Sequence, residues 1–169
     1  MKLFFALAIL GCFCFPQDMI FNKNTNAKEI KSLFVDIEPN SNIPNPYNNE
    51  SYLKSWTSVY EEMLLRNGFN VISRDKIDAV INEKKLSMAG PTRNESMYKA
   101  GKLVGGDGIL FVRVAFLNDS TFREEARLIS VKSGKIYFSG SFISNIHENK
   151  LNVKHKREDV ILQLKKGKD

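Results

Sequence analysis

The sequence predicts an α/β domain in which a mixed β-sheet of about five strands is flanked by helices, in the element order βαβααβββα. Three observations support this fold class. Apolar residues recur at helical spacing in three segments of the first two thirds of the chain. Short apolar runs alternate with these segments, and Gly, Pro, Asn or Asp marks the boundaries. After Asp107 the apolar period changes to two, which is typical of antiparallel strands.

The first strand and helix are separated by a loop. Residues 31–37 form a mostly apolar run that predicts a buried strand, and the proline-rich segment 38–49 predicts an irregular loop. Apolar residues then recur at helical spacing from Leu53 to Leu64. Asn67 and Gly68 follow, and a glycine there suits the left-handed conformation that ends many helices.

The next three elements are a strand and two helices. Phe69 to Ser73 predicts a second short strand. Asp75 is expected to cap the following helix, because its carboxylate can accept hydrogen bonds from the free amides of the first turn. After a loop at 87–93, Asn94 is expected to cap a further helix, which ends at Gly105 and Gly106.

The remaining elements form a meander and a final helix. Strands are expected at 109–117, 122–131 and 136–144, joined by tight turns at 118–120 and 133–134, so that the three strands pair antiparallel. A final helix is expected at 156–166, where three apolar residues share one face.

The first fifteen residues predict a secretory signal. A lysine at position 2 precedes an apolar run of roughly 13 residues, which is too short to span a bilayer as a helix of about 20 residues. Both cysteines of the chain lie in or at the edge of this segment, so structural disulfides in the domain are excluded. We therefore divide the chain into a signal peptide at 1–15, a polar linker at 16–29 and a single domain at 30–169.

Cys12 is a candidate for lipidation. The sequence Ile9-Leu-Gly-Cys12 resembles a bacterial lipobox, in which a peptidase cuts before the cysteine and a diacylglycerol is attached to its sulfur. The alternative is a plain signal peptide that is cleaved near Phe15 or Gln17, with Cys12 discarded. Phe13 follows the cysteine, and by resemblance to enteric bacterial lipoproteins a residue other than Asp there indicates the outer membrane. The expected location is the periplasmic face of that membrane, or otherwise the periplasm.

The carboxyl-terminal segment carries most of the net charge of +6. Residues 150–169 contain seven Lys or Arg against three Asp or Glu, which gives +4. Such a segment can contact an anionic partner, or it can be a solvated helix face followed by a frayed tail. Export argues against nucleic acid as the partner.

Enzyme motifs are lacking. The glycines from Gly101 to Gly108 end a helix and open a strand, whereas a phosphate-binding loop needs the reverse order. His147 lacks the second histidine that a zinc site on a helix requires. Glu124 and Glu125 are adjacent on a strand and point to opposite faces, so they cannot form an acid/base pair. The sequence predicts no catalytic residues, no metal ligands and no cofactor.

The order and spacing of these elements resemble the CsgG/LpoB superfamily of bacterial envelope lipoproteins. The resemblance covers roughly residues 31–146 and consists mainly of core positions and turn glycines. The matching segments are Phe34 to Ile37, Leu64 to Arg74, Ile77 to Leu86, Ala100 to Leu110 and Ala126 to Ile136. This chain departs from the family pattern at Ser130, Ser133 and Gly106.

The resemblance implies a non-catalytic domain that acts by binding. The implied partner is a peptidoglycan synthase, a secretion component or further copies of the chain. The alternative is a subunit of an oligomeric secretion or transport assembly whose pore is completed by other chains. A pore formed by this chain alone is disfavoured, because its turns are too short for membrane-crossing hairpins. The candidate partner contacts are Arg74, Arg113, Lys154, Lys156 and Arg157.

Overall fold

The structure is a computed structural model, and it describes residues 18–21, 29–39, 50–83 and 93–166. These residues form one six-stranded sheet with four helices, and the strand order across the sheet is β1-β6-β5-β4-β2-β3. The elements are β1 (Asp18–Phe21), β2 (Ser32–Pro39), α1 (Glu50–Arg66), β3 (Asn70–Val71), α2 (Arg74–Glu83), α3 (Arg93–Leu103), β4 (Gly108–Phe116), β5 (Thr121–Ser130), β6 (Ile136–Asn145) and α4 (Lys150–Lys166).

The predicted fold class and the order βαβααβββα are confirmed from β2 to α4. The sheet is mixed, since β2 runs parallel to β3 and β4, whereas β4, β5 and β6 form the predicted antiparallel meander. One strand was not predicted. β1 lies inside the segment 16–29 that we interpreted as a linker, and it pairs antiparallel with β6 at the edge of the sheet. Its four residues are too few to show a period.

The two faces of the sheet are covered differently. Even-numbered residues of β4, from Leu110 to Val114, point into the main core, which α1 and α4 close. On the opposite face, Phe34 of β2 and Ile109 of β4 pack against Ile77 of α2 and Ala100 of α3 in a smaller core. The helices of this second core extend only to about Phe111, so the rest of that face is exposed or half-buried.

The glycines predicted to end helices do so. Gly68 and Gly105 have φ values of +82° and +75°, the left-handed region that side chains disfavour. The prediction that Asp75 caps α2 was wrong, because Asp75 lies inside the first turn of the helix. The carboxylate of Glu61, from α1, accepts the N–H of Arg74 at 3.0 Å instead, because α1 brings it to the start of α2. Asn94 likewise lies inside α3, which begins at Arg93.

The final helix is longer than predicted. α4 begins at Lys150 instead of 156, because the side chain of Asn149 accepts the N–H of Leu151 at 3.0 Å and so caps the first turn. Within the described part of the chain, no helix is long and apolar enough to cross a membrane. The predicted signal peptide 1–15 with Cys12 lies outside the described residues, as do most of the first loop and residues 84–92.

Candidate interaction surface

The exposed half of the sheet carries a group of charged side chains that we call the open face. Strand register places Glu38 of β2 opposite Arg113 of β4, and Arg113 opposite Glu125 of β5. Because side chains alternate along a strand, Arg123 and Arg127 lie on the same face as Glu125, two residues away on either side. The open face consists of Glu38, Arg113, Arg123, Glu125 and Arg127.

These charges pair with one another at the surface. The guanidinium of Arg113 donates to the carboxylate of Glu38 at 3.0 Å, and Arg127 donates to Glu125 at 3.4 Å. The side chain of Arg113 is 51% exposed and that of Arg127 is 46% exposed. Surface pairs of this kind contribute only about 0–1 kcal/mol each. The open face can therefore exchange its internal pairs for pairs with another molecule at little cost.

An aromatic border lies beside the charged row. The ring of Tyr98, from α3, packs at 56° to that of Phe111, with centroids 6.2 Å apart. Burial raises the pKa of the Tyr98 hydroxyl. Together with Ile129 and the charged side chains, these rings line a shallow cleft of about 100 Å³. Small-molecule pockets typically enclose about 300–1,000 Å³, so the cleft suits an inserted side chain better than a substrate.

Arg157, one of the predicted contacts, lies inside the protein. Its side chain is 10% exposed, and its Nε donates to the carboxylate of Glu124 at 3.0 Å. Burial would lower the pKa of Arg157, but the charge of Glu124 outweighs burial and raises it. Tyr60 donates to the same carboxylate at 2.8 Å, and burial followed by the charge of Glu124 raises its pKa well above its usual value. Arg157 therefore holds α4 to β5 and is not available at the surface of this fold.

Two other predicted contacts are also engaged within the fold. The ammonium of Lys156 donates to the carboxylate of Glu148 at 2.9 Å and to the carbonyl of Ile143 at 3.0 Å. Arg74 binds Asp36 and, at 2.9 Å, Asp78, and its side chain is 21% exposed. Both residues therefore stabilise connections between elements.

The remaining predicted contacts are accessible. Lys154 lies on α4 with its side chain 46% exposed and its ammonium 3.7 Å from Glu158. Arg113 lies in the open face, on the side of the sheet opposite the main core that α4 closes. The structure thus brings Arg113 together with four charged residues that sequence reasoning did not select. The alternation of Arg123, Glu125 and Arg127 along one strand was the signal that could have identified them.

The described residues also bear on metal binding. Within the ranges 18–21, 29–39, 50–83 and 93–166, no group of three or more His, Cys, Asp or Glu residues is arranged to hold a metal ion. The predicted separation of Glu124 and Glu125 is confirmed, because Glu124 is 1% exposed in the core whereas Glu125 lies in the open face.

Comparisons with known proteins give matches in structure alone. No family model and no curated protein matches this sequence. Among solved structures, the LpoB C-terminal domain from Salmonella enterica aligns with a TM-score of 0.53 at 18% identity, over 72% of this chain and 86% of that one. Lipoprotein GNA1162 from Neisseria meningitidis aligns with a TM-score of 0.51 at 20% identity, over 79% and 96%.

A third match is an oligomer. The PelC dodecamer from Paraburkholderia phytofirmans, in a single-substitution form, aligns with a TM-score of 0.54 at 13% identity, over 88% of this chain and 97% of that one. At such identities the likeness shows the fold alone. The predicted resemblance to the LpoB-like fold is therefore confirmed as a fold.

Proposed function

We propose that this chain is a non-enzymatic, exported and lipid-anchored domain of the bacterial cell envelope, which acts by binding a protein partner through the open face. The partner class that the family resemblance implies is a peptidoglycan synthase or a secretion component. No cofactor is needed for this role. Cys12 would hold the domain to the periplasmic face of the outer membrane.

The open face is the observation that carries this proposal. Its charges are accessible and weakly paired, whereas the buried charges of Arg157 and Glu124 are bound within the core. Protein interfaces combine a polar rim with aromatic and arginine anchors. The row of Arg113, Arg123 and Arg127 beside the ring of Tyr98 has this composition. Its guanidinium groups can pair with carboxylates of a partner, and the cleft can accept one of the partner's side chains.

Photo-cross-linking tests the partner. A photoreactive amino acid replaces Arg127 in one variant and Arg66 in another, and the full chain is irradiated in native membranes. Arg66 is the matched control, because it is an exposed arginine paired with Glu62 on the outer side of α1. We expect a discrete envelope-protein adduct from position 127 only. Equal adducts at both positions, or none at either, would contradict binding through the open face.

Mass spectrometry tests the anchor. The chain recovered from membranes should carry a diacylglycerol and begin at Cys12, and a Cys12→Ser variant should lack the lipid and leave the membrane fraction. A chain that begins after Phe15 would instead support the plain signal peptide.

A second candidate function is a subunit of an oligomeric transport assembly. The observation in its favour is the likeness to the PelC dodecamer, which shares the fold over most of both chains. Analytical ultracentrifugation of the detergent-extracted chain distinguishes the two candidates. A ring-sized oligomer favours the transport subunit, whereas a monomer favours the interaction domain.

A further inference from the structure

The position of β1 determines where the chain leaves the sheet toward Cys12. In the antiparallel ladder Asp18 pairs with Ser141, whereas Phe21 pairs with Phe138. Moving from Phe21 back to Asp18 therefore follows β6 from Phe138 toward Asn145. The amino-terminal end of β1 is thus directed to the end of the sheet at which β6 finishes and α4 begins.

The same end of the sheet contains two further connections. Thr121, the first residue of β5, pairs with Asn145. The N–H of Leu117 donates to the carbonyl of Thr121 at 2.8 Å, and the N–H of Ile146 donates to the carbonyl of Ser120 at 2.8 Å. The β4–β5 turn and the β6–α4 connection are therefore adjacent. We call this surface the tether end, and its exposed residues include Leu117, Asp119, His147, Leu151 and Lys154.

Chain length limits how far the tether end can lie from a lipid on Cys12. Six residue steps separate Cys12 from Asp18, and a fully extended chain spans at most about 3.4 Å per step, or about 20 Å. Four residue steps along β6 separate Ser141 from Asn145, and at a similar rise they span about 13 Å. An extended connection therefore reaches only about 7 Å beyond the tether end.

Two apolar side chains are exposed there. Leu117 at the β4–β5 turn is 52% exposed, and Leu151 in the first turn of α4 is 53% exposed. Lys154 lies one helical turn beyond Leu151, with its side chain 46% exposed. Leucine beside lysine is the composition with which peripheral proteins enter the headgroup region, where the apolar groups are buried and the cation meets lipid phosphates.

From this geometry we infer that the tether end lies against the phospholipid bilayer, with Leu117 and Leu151 inserted in the headgroup region and Lys154 facing lipid phosphates. The inference rests on the proposed lipidation of Cys12. It assigns the domain a fixed orientation, because a connection this short cannot act as a long flexible leash. The strands of the sheet then run away from the membrane surface. The open face lies to the side of the domain, where a membrane-bound partner can reach it.

Environment-sensitive fluorescence tests this orientation. Each variant carries Cys14→Ser, so that acylation of Cys12 leaves only the introduced thiol for labelling with the NBD fluorophore. Leu117→Cys and Leu151→Cys place the probe at the tether end. Leu103→Cys and Ile136→Cys are matched controls, because these apolar residues are 59% and 43% exposed near the opposite end of the sheet. Arg127→Cys reports on the open face.

The full-length chain is purified from membranes, checked by mass for the lipid, and reconstituted into vesicles of phosphatidylethanolamine and phosphatidylglycerol. We expect NBD emission at positions 117 and 151 to rise at least about twofold over the vesicle-free detergent-extracted sample, and nitroxide lipids to quench it, since apolar groups enter the interface to about 5–10 Å. Positions 103, 136 and 127 should change little.

Each other outcome overturns the inference in a recognisable way. A lipidated chain whose probes at 117 and 151 behave like those at 103 and 136 contradicts the orientation alone and leaves the proposed function intact. If the probe at position 127 responds instead, the open face and not the tether end lies against the membrane. A chain recovered without lipid on Cys12 removes the premise and contradicts the proposed anchor as well.

Discussion

Arg157 of α4 and Glu124 of β5 form a buried ion pair between the final helix and the centre of the sheet. The guanidinium carbon also lies 5.7 Å from the ring centroids of both Trp56 and Tyr60 of α1. One cation therefore joins three elements through a carboxylate and two aromatic faces. The C-terminal basic segment thus includes a residue that completes the core.

Removing either partner of this pair should destabilise the fold strongly. Arg157→Ala leaves the carboxylate of Glu124 uncompensated in the core, which costs about 3–5 kcal/mol of unfolding free energy. Urea denaturation followed by circular dichroism measures the loss. Tyr60→Phe, which removes one hydrogen bond and keeps the ring, should cost only about 1–2 kcal/mol.

A double variant separates the charge effect from packing. Arg157→Met with Glu124→Leu replaces both charges by apolar groups of similar size, and buried pairs replaced in this way often retain most of their stability. We expect the double variant to be at least about 2 kcal/mol more stable than Arg157→Met alone, because both carry the same long apolar side chain and only the single variant keeps an uncompensated carboxylate. Equal losses would show that the uncompensated charge is not the main contribution.

Asp107 lies in the segment Ala100 to Leu110 that resembles the family, but the resemblance does not show its role. The carboxylate of Asp107 accepts hydrogen bonds from the N–H groups of Lys31 and Ser32 and from the hydroxyl of Ser32, at 3.0–3.1 Å. These donors are 75 or 76 residues away in the sequence. The strands could be predicted because apolar periodicity and turn residues are local features of the sequence. The hydrogen bonds of Asp107 could not be predicted in this way, because they depend on the parallel pairing of β2 with β4.

Asp107→Ala should therefore destabilise the start of β2. The substitution removes a charged acceptor from three donors, and we expect a loss of about 2–3 kcal/mol in unfolding free energy. Asp119→Ala, at an exposed residue of the β4–β5 turn, is the matched control and should change stability by less than about 0.5 kcal/mol. Hydrogen exchange of the Ser32 amide should accelerate in the first variant only.

Gly101 permits the close packing of α3 on β2. A Cβ atom at this position would lie 2.7 Å from Cε1 of Phe34 and 3.3 Å from Val131. Gly101→Ala gains about 1 kcal/mol of helix propensity, but overpacking costs about 1–3 kcal/mol, so we expect a net loss. Combining it with Phe34→Leu should restore part of that loss. Strict additivity in this double-mutant cycle would exclude the contact as the cause.

The Lys156–Glu148 pair should make stability depend on acid pH. Burial acts to raise the pKa of Glu148, but hydrogen bonds from Lys156 and Ser144 outweigh it and lower the pKa in the folded state. A lowered carboxyl pKa contributes stability above the unfolded value of about 4.3, and that contribution disappears as the pH falls through the folded value. Comparing denaturation of the wild type and Glu148→Gln between about pH 7 and pH 3 should show their difference shrinking.

Sequence reasoning identified less of the candidate surface than of the fold. A basic side chain in a sequence looks the same whether it is exposed, as Lys154 is, or buried against a carboxylate, as Arg157 is. The distinction comes from the packing of α4 on the sheet. Arg113 was selected as a candidate contact without its neighbours, and the alternation of charges along β5 was the signal that could have added Arg127.

Charge reversal in the open face should separate binding from stability. Arg127→Glu places a second carboxylate beside Glu125, and because the two side chains are 46% and 28% exposed we expect a loss of no more than about 1 kcal/mol. The same change should lower capture of the membrane-bound partner about tenfold, since a repulsive charge replaces an attractive one at the interface. Pairing it with Glu125→Arg restores the internal ion pair but presents the charges in reversed order. If stability recovers but capture does not, the partner recognises the arrangement of the charges and not the ion pair alone. Full recovery of capture would contradict recognition of that arrangement.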